Sequence, residues 1–138
     1  MVVSNKVIGE TVLTAAVKRS CEEVIDLLGH LGVNYVHLEE DLEELDLENN
    51  VRIVGLYLEE RCVGEKDRVL MECMESLQLI IEKIREELRV LHRRMDEHRR
   101  LWFSGWRDDG SGEVMRRLRR HKGVLRERWE MFYGLHRL

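Results

Sequence analysis

A chain of 138 residues and 16.5 kDa suits one domain and is long enough to bury a core without disulfides or metal. Hydrophobic residues at 43% exclude a disordered tail, and charged residues at 36% with a net charge of −4 require a heavily charged surface. The chain has no proline and only 6% aromatics, which favours long unbroken helices over a sandwich or barrel.

The first predicted helix runs from about Asn5 to Leu28, with Ser4 as its cap and Gly29 and Gly32 bracketing its end. Leu13, Val17, Val24, Leu28 and Leu31 form its apolar stripe, widened by Cys21 and Ile25. A second segment begins near Tyr35, where Leu38, Leu42 and Leu45 line an acidic helix. The phase then shifts to Val51, Val54, Leu58 and Cys62, so Asn49 and Asn50 are expected to break or kink the chain. The run 51–58 is the one place where a strand is credible, but a lone strand lacks a partner, so it is read as helix. Val63 and Gly64 mark a turn.

The strongest pattern follows. Leu70, Met74, Leu77, Ile81, Ile84, Leu88, Leu91, Met95, His98 and Trp102 alternate steps of four and three. This heptad seam predicts left-handed coiled-coil packing along a helix from Glu65 to Phe103. Residues 104–112 read as a loop, with Ser111 or Gly112 capping a last helix from about Glu113 to the end. Its stripe is Val114, Leu118, His121, Leu125, Phe132 and Leu135, with Trp129 beside it. The expected fold is all-α: one domain, 1–138, forming an elongated bundle of about four helices with a long central coiled-coil helix.

Charge divides the chain in two. Residues 1–82 carry 7 Lys+Arg and 18 Asp+Glu, a net of −11, whereas residues 83–138 carry 16 and 9, a net of +7. The acid peaks in seven carboxylates between Glu39 and Glu48, and the base in Arg116, Arg117, Arg119, Arg120 and Lys122. These blocks are expected to meet each other, in one chain or across two.

Catalytic and metal signatures are missing from the sequence. None of the six histidines makes an HExxH or has a Glu three residues before it, no Ser sits in a GxSxG elbow, and Gly110-Ser111-Gly112 lacks a P-loop lysine. His98 and His121 could face each other across antiparallel helices, with setting the register as their role. Cys21, Cys62 and Cys73 read as reduced thiols, and the absence of an 18-residue apolar stretch or a signal-type start points to the cytoplasm or nucleus.

The function expected is therefore non-enzymatic assembly with itself or another helical subunit, without cofactor, metal, membrane or small-molecule substrate. The seam residues Leu70, Met74, Leu77, Ile81, Ile84, Leu88, Leu91, Met95 and Trp102, together with Trp106, are the candidate interface. Trp102, Phe103 and Trp106 otherwise cap the bundle end together with Trp129 and Phe132. The alternative is binding of an RNA or duplex backbone through Arg116, Arg119, Arg120, Lys122 and Arg126, against which a pI near 5.9 counts.

Overall fold

The structure is a computed structural model that describes residues 11–61, 63–64, 67–100 and 109–138. Five helices, and no strand among the described residues, make up the fold: α1 (Val12–Asn34), α2 (Val36–Leu45), α3 (Leu47–Glu60), α4 (Arg68–Arg100) and α5 (Ser111–His136). No helix among the described residues is long and apolar enough to cross a membrane.

The Thr11 side chain accepts a hydrogen bond from the Thr14 amide at 2.9 Å and so starts α1. The expected Ser4 cap lies outside the described residues. The helix runs through Gly29 and Gly32 rather than stopping there, because Leu28, Leu31 and Tyr35 remain buried and carry the apolar stripe onward. Packing of that stripe outweighs a helix penalty of about 1 kcal/mol per glycine.

The break between α2 and α3 falls at Asp46, four residues before the expected Asn50. Asp46 adopts the left-handed conformation (φ 54°, ψ 29°), which aspartate tolerates better than most residues. Leu45 and Leu47 flank it and are both buried. A step of two cannot keep one helical face inward, so the chain must rotate at the residue between them. Asn50 lies inside α3, where its side-chain amide donates to the Asp46 carbonyl at 2.6 Å and braces the break. Residues 51–58 are helical.

Asp67 accepts from the Leu70 amide at 3.1 Å and starts α4, which at 33 residues is roughly 50 Å long. Contacts along its length fix the topology. Ser20 meets Gln78, Glu23 meets Arg85, and His30 meets His92, so α1 and α4 run parallel. Arg128 meets Ser76, Arg117 meets Glu87, and Arg94 meets Gly110, so α5 runs antiparallel to α4. Gly55 approaches Cys21 closely enough that an added Cβ would sit 3.6 Å from the cysteine Cβ, which places α3 against α1. Helices α2 and α3 lie diagonally across from α4, making no close backbone approach to it.

The antiparallel register separates His98 and His121. His121 lies beside Lys83 and Glu87, more than two turns from His98 along α4. Trp129 and Phe132 sit with Tyr57 and His136 near the start of α4, not at its end as the sequence suggests; Tyr57 Oη and His136 Nδ1 are 2.6 Å apart. Trp102, Phe103 and Trp106 lie outside the described residues. The last helix begins two residues early, at Ser111, because Asp109 accepts from the Ser111 amide at 2.9 Å. Gly110 bends the chain into the helix at φ 78°, a conformation that favours glycine.

Candidate interaction surfaces

The eight seam residues from Leu70 to Met95 are all buried within the single chain. Two flanking rows of α4 extend the contact. On one side, Gln78 donates to Ser20 at 3.1 Å, and Arg85 and Arg89 reach Glu23 at 3.1 and 3.2 Å. Arg99 lies over the Tyr35 ring, 4.4 Å from its centre, and donates to the Asn34 carbonyl. On the other side, Glu87 accepts from Arg117 at 2.7 Å, and Arg94 donates to the Gly110 carbonyl at 3.2 Å. The seam therefore meets α1 and α5 of its own chain, and Arg85 and Arg89 pair with Glu23 of α1. Trp102 and Trp106, the remaining two candidates of this set, lie outside the described residues.

The arginine block of α5 divides by helical phase. Arg117 points toward α4 and pairs with Glu87 and Glu113, and these hydrogen bonds raise its pKa. The same partner, Arg117, lowers the Glu113 pKa. Arg116, Arg119 and Arg120 are exposed and Lys122 is half-buried, and none of the four makes an ion pair among the described residues. Arg126 is exposed and reaches Glu130 at 3.6 Å. Burial lowers the His121 pKa, helped by Lys83, Arg120 and Arg117 and opposed by Glu87. These four cations and Arg126 make a ridge beneath which Val114, Met115, Leu118 and Leu125 all turn inward, and the exposed Met131 follows beyond Arg126.

The carboxylates from Glu39 to Glu48 are likewise all exposed, and the ion pair they make among the described residues is Glu48 with Arg52, at 3.1 Å. No ion pair among the described residues joins them to 116–126.

The sequence reading missed a groove. It is open, holds about 680 Å³, and lies between the last turns of α1 and the α2–α3 elbow. Leu28, Val33, Val36 and Leu42 give it an apolar lining, and Glu39, Glu43, Asp46 and Glu48 line it with acid; no Lys or Arg among the described residues lines it. Val33 and Val36 are 79% and 72% exposed. Gly29 and Gly32 form part of the wall, and a Cβ built on either meets nothing within 4 Å. The sequence signal was the pair of valines just beyond an apolar stripe that otherwise closes at Leu31.

The described thiols are free. Burial, with Glu22 adding to it, pushes Cys21 up to about 12, and burial also raises Cys73. Among the described residues no three His, Cys, Asp or Glu side chains cluster as metal ligands would. No family model, no curated protein and no solved structure matches this chain.

Proposed function

We propose that the chain is a non-enzymatic helical assembly subunit of the cytoplasm or nucleus. Its elongated bundle has four rods, with α2 and α3 acting as one, built around the coiled-coil helix α4. The seam holds the subunit together, and contact with a second copy or another helical subunit falls to charged surfaces outside it. Trp102 and Trp106 remain candidate anchors of that contact. One observation carries this reading: the carboxylates of 39–48 and Arg116, Arg119, Arg120 and Arg126 are all exposed, and no ion pair joins the two groups among the described residues. Complementary surfaces left open steer and orient partners.

Light scattering after size exclusion, at low and high salt, tests the reading on the purified chain and on the chain mixed with a co-purifying subunit. The assembly is expected to loosen as the Debye length falls from about 10 Å at 0.1 M salt to about 3 Å at 1 M. Reversing Arg116, Arg119 and Arg120 to Glu should weaken it, and adding Glu40, Glu43 and Glu44 reversed to Lys should partly restore it. Assembly that ignores both salt and reversal would reject the proposal.

The second reading, phosphate-backbone binding, is favoured by Arg116, Arg119, Arg120 and Lys122 being unpaired. It requires the wild-type chain to shift a generic RNA or DNA probe with a steep salt dependence, lost in the arginine triple variant.

A further inference from the structure

From the groove beside α1 we infer a specific partner chemistry: it docks a basic amphipathic helix supplied by another protein, its apolar side on the valines and its Lys or Arg against the acidic lining. This inference rests on the reading of the chain as an interaction subunit, and it names what that subunit holds.

Three independent features point to such an occupant. The first is exposed apolar surface. Val33 and Val36 are mostly uncovered, next to the more buried Leu28 and Leu42 in one groove of about 680 Å³. Side by side in a concave wall, the two valines offer seats for the apolar side chains of a second helix.

The second is the glycine pair, three residues apart on the α1 wall. Both lie inside a helix, both have room for a side chain, and neither requires a positive φ. Packing among the described residues gives no reason for them, and helix propensity argues against them. A bare helix wall does serve a second helix, because the distance between packed helix axes is set by the side chains between them. An amphipathic helix laid in an apolar groove is a common recognition mode, read as anchors at i, i+3, i+4 and i+7.

The third is charge. Among the described residues, Glu39, Glu43, Asp46 and Glu48 line the groove with no lining Lys or Arg, and of these four Glu48 alone has a basic partner, Arg52. Glu40, Asp41 and Glu44 extend the same negative field along α2. Such a lining repels phosphate and therefore disfavours both nucleic acid and an anionic lipid surface. It attracts Lys and Arg.

A second copy of the chain fits less well. Its ridge cations Arg116, Arg119, Arg120 and Lys122 have no exposed large apolar residue beside them, and α5 exposes Met131, Tyr133 and Leu135 beyond Arg126, next to the exposed Glu127 and Glu130 that the acidic groove would repel. The occupant must carry cations and apolar anchors side by side along one helix.

The probe is a fluorescently labelled peptide of about 18 residues, five helical turns, made of Leu and Lys with Leu at i, i+3, i+4 and i+7. A scrambled peptide of the same composition is the control, and fluorescence anisotropy reads binding. Wild type should bind the amphipathic order about tenfold more tightly than the scramble, the effect of aligning one or two apolar anchors. Gly32→Leu fills the groove and should weaken binding about tenfold while the melting temperature holds or rises, since nothing lies within 4 Å of the added carbon. Glu39→Lys with Glu43→Lys should weaken binding and flatten its salt dependence.

Equal binding of the two peptides, or binding untouched by Gly32→Leu, would show that charge alone attracts them and overturn the site. Absence of binding by either peptide would overturn it as well. Self-association of the chain that Gly32→Leu abolishes would replace the proposed occupant with a second copy, while leaving the assembly reading intact. Failure of the assembly reading shows instead in the salt dependence and in the reversal of Arg116, Arg119 and Arg120, none of which lines the groove.

Discussion

Asp109 shows how much one side chain settles at the residue scale. It accepts from the Ser111 amide at 2.9 Å and lies 3.1 Å from His37 Nε2, tying the start of α5 to the start of α2. Burial by itself would raise its pKa. Hydrogen bonds from Ser111 and His37 outweigh that and hold the carboxyl below the usual carboxylate range. The folded value is thus lower than the unfolded one, so the stabilisation is present above the ordinary Asp range and is lost as pH falls through the folded value. Asp109→Ala should cost about 1 kcal/mol near neutrality, the usual effect of losing a side-chain hydrogen bond. Urea midpoints measured against pH should show wild type and variant converging in acid. A gap that stays constant would mean that the carboxylate charge is not what matters.

At the scale of elements, the most regular helix is also the most legible. Eight seam positions from Leu70 to Met95 are named by spacing alone, and all eight are buried. Replacing Ile81 and Ile84 together with Asp should unfold the chain, since two unpaired charges in a dry interior cost several kcal/mol. Circular dichroism that still shows a cooperative transition at the wild-type temperature would exclude that burial. What spacing could not say was which helices cover the seam. The partner of each flanking row became visible only with the parallel course of α1 and the antiparallel course of α5.

The element ends were misread for identifiable reasons. Local propensity marks a stop at Gly29 and Gly32, but the buried Leu31 and Tyr35 carry the helix past them. Asn49 and Asn50 looked like a break because they favour turns, whereas the two-residue step from Leu45 to Leu47 was the stronger signal. Gly123 places a residue of low helix propensity inside the last helix. It lies in α5 with open space around it, so Gly123→Ala should stabilise the fold by roughly 0.5–1 kcal/mol. Thermal melts would check it, and a loss of stability would mean that the position carries a constraint beyond propensity.

At the scale of the whole molecule, the arginine ridge was legible and the groove was not. A run such as Met115–Lys122 shows its charge in one dimension, and helical phase sorts its members: Arg117 turns to α4, and Arg116, Arg119 and Arg120 turn outward. The groove needs two helices at once. Its valines belong to the end of α1 and the start of α2, and its acids to α2 and the elbow at Asp46. Neither stretch reads as a site on its own. The folded chain is therefore bipolar in a way that its net charge of −4 conceals.

The parallel course of α1 and α4 bears on how the molecule comes together in time. The Ser20–Gln78 and His30–His92 contacts join residues about sixty positions apart. A hairpin of α1 with α2 and α3 can form early, but its inner face stays wet until α4 is made. Cutting the chain between Gly64 and Glu65 would leave a piece with 5 Lys+Arg and 13 Asp+Glu and another with 18 and 14. Each piece alone should be poorly ordered, because each lacks the surface that its apolar stripe needs. Mixed, these oppositely charged halves should find each other quickly and regain cooperative melting, at a rate that slows with added salt. A split reporter built at this cut would then light up on reassembly, whereas halves that stay dark when combined would mean that the chain must be continuous to fold.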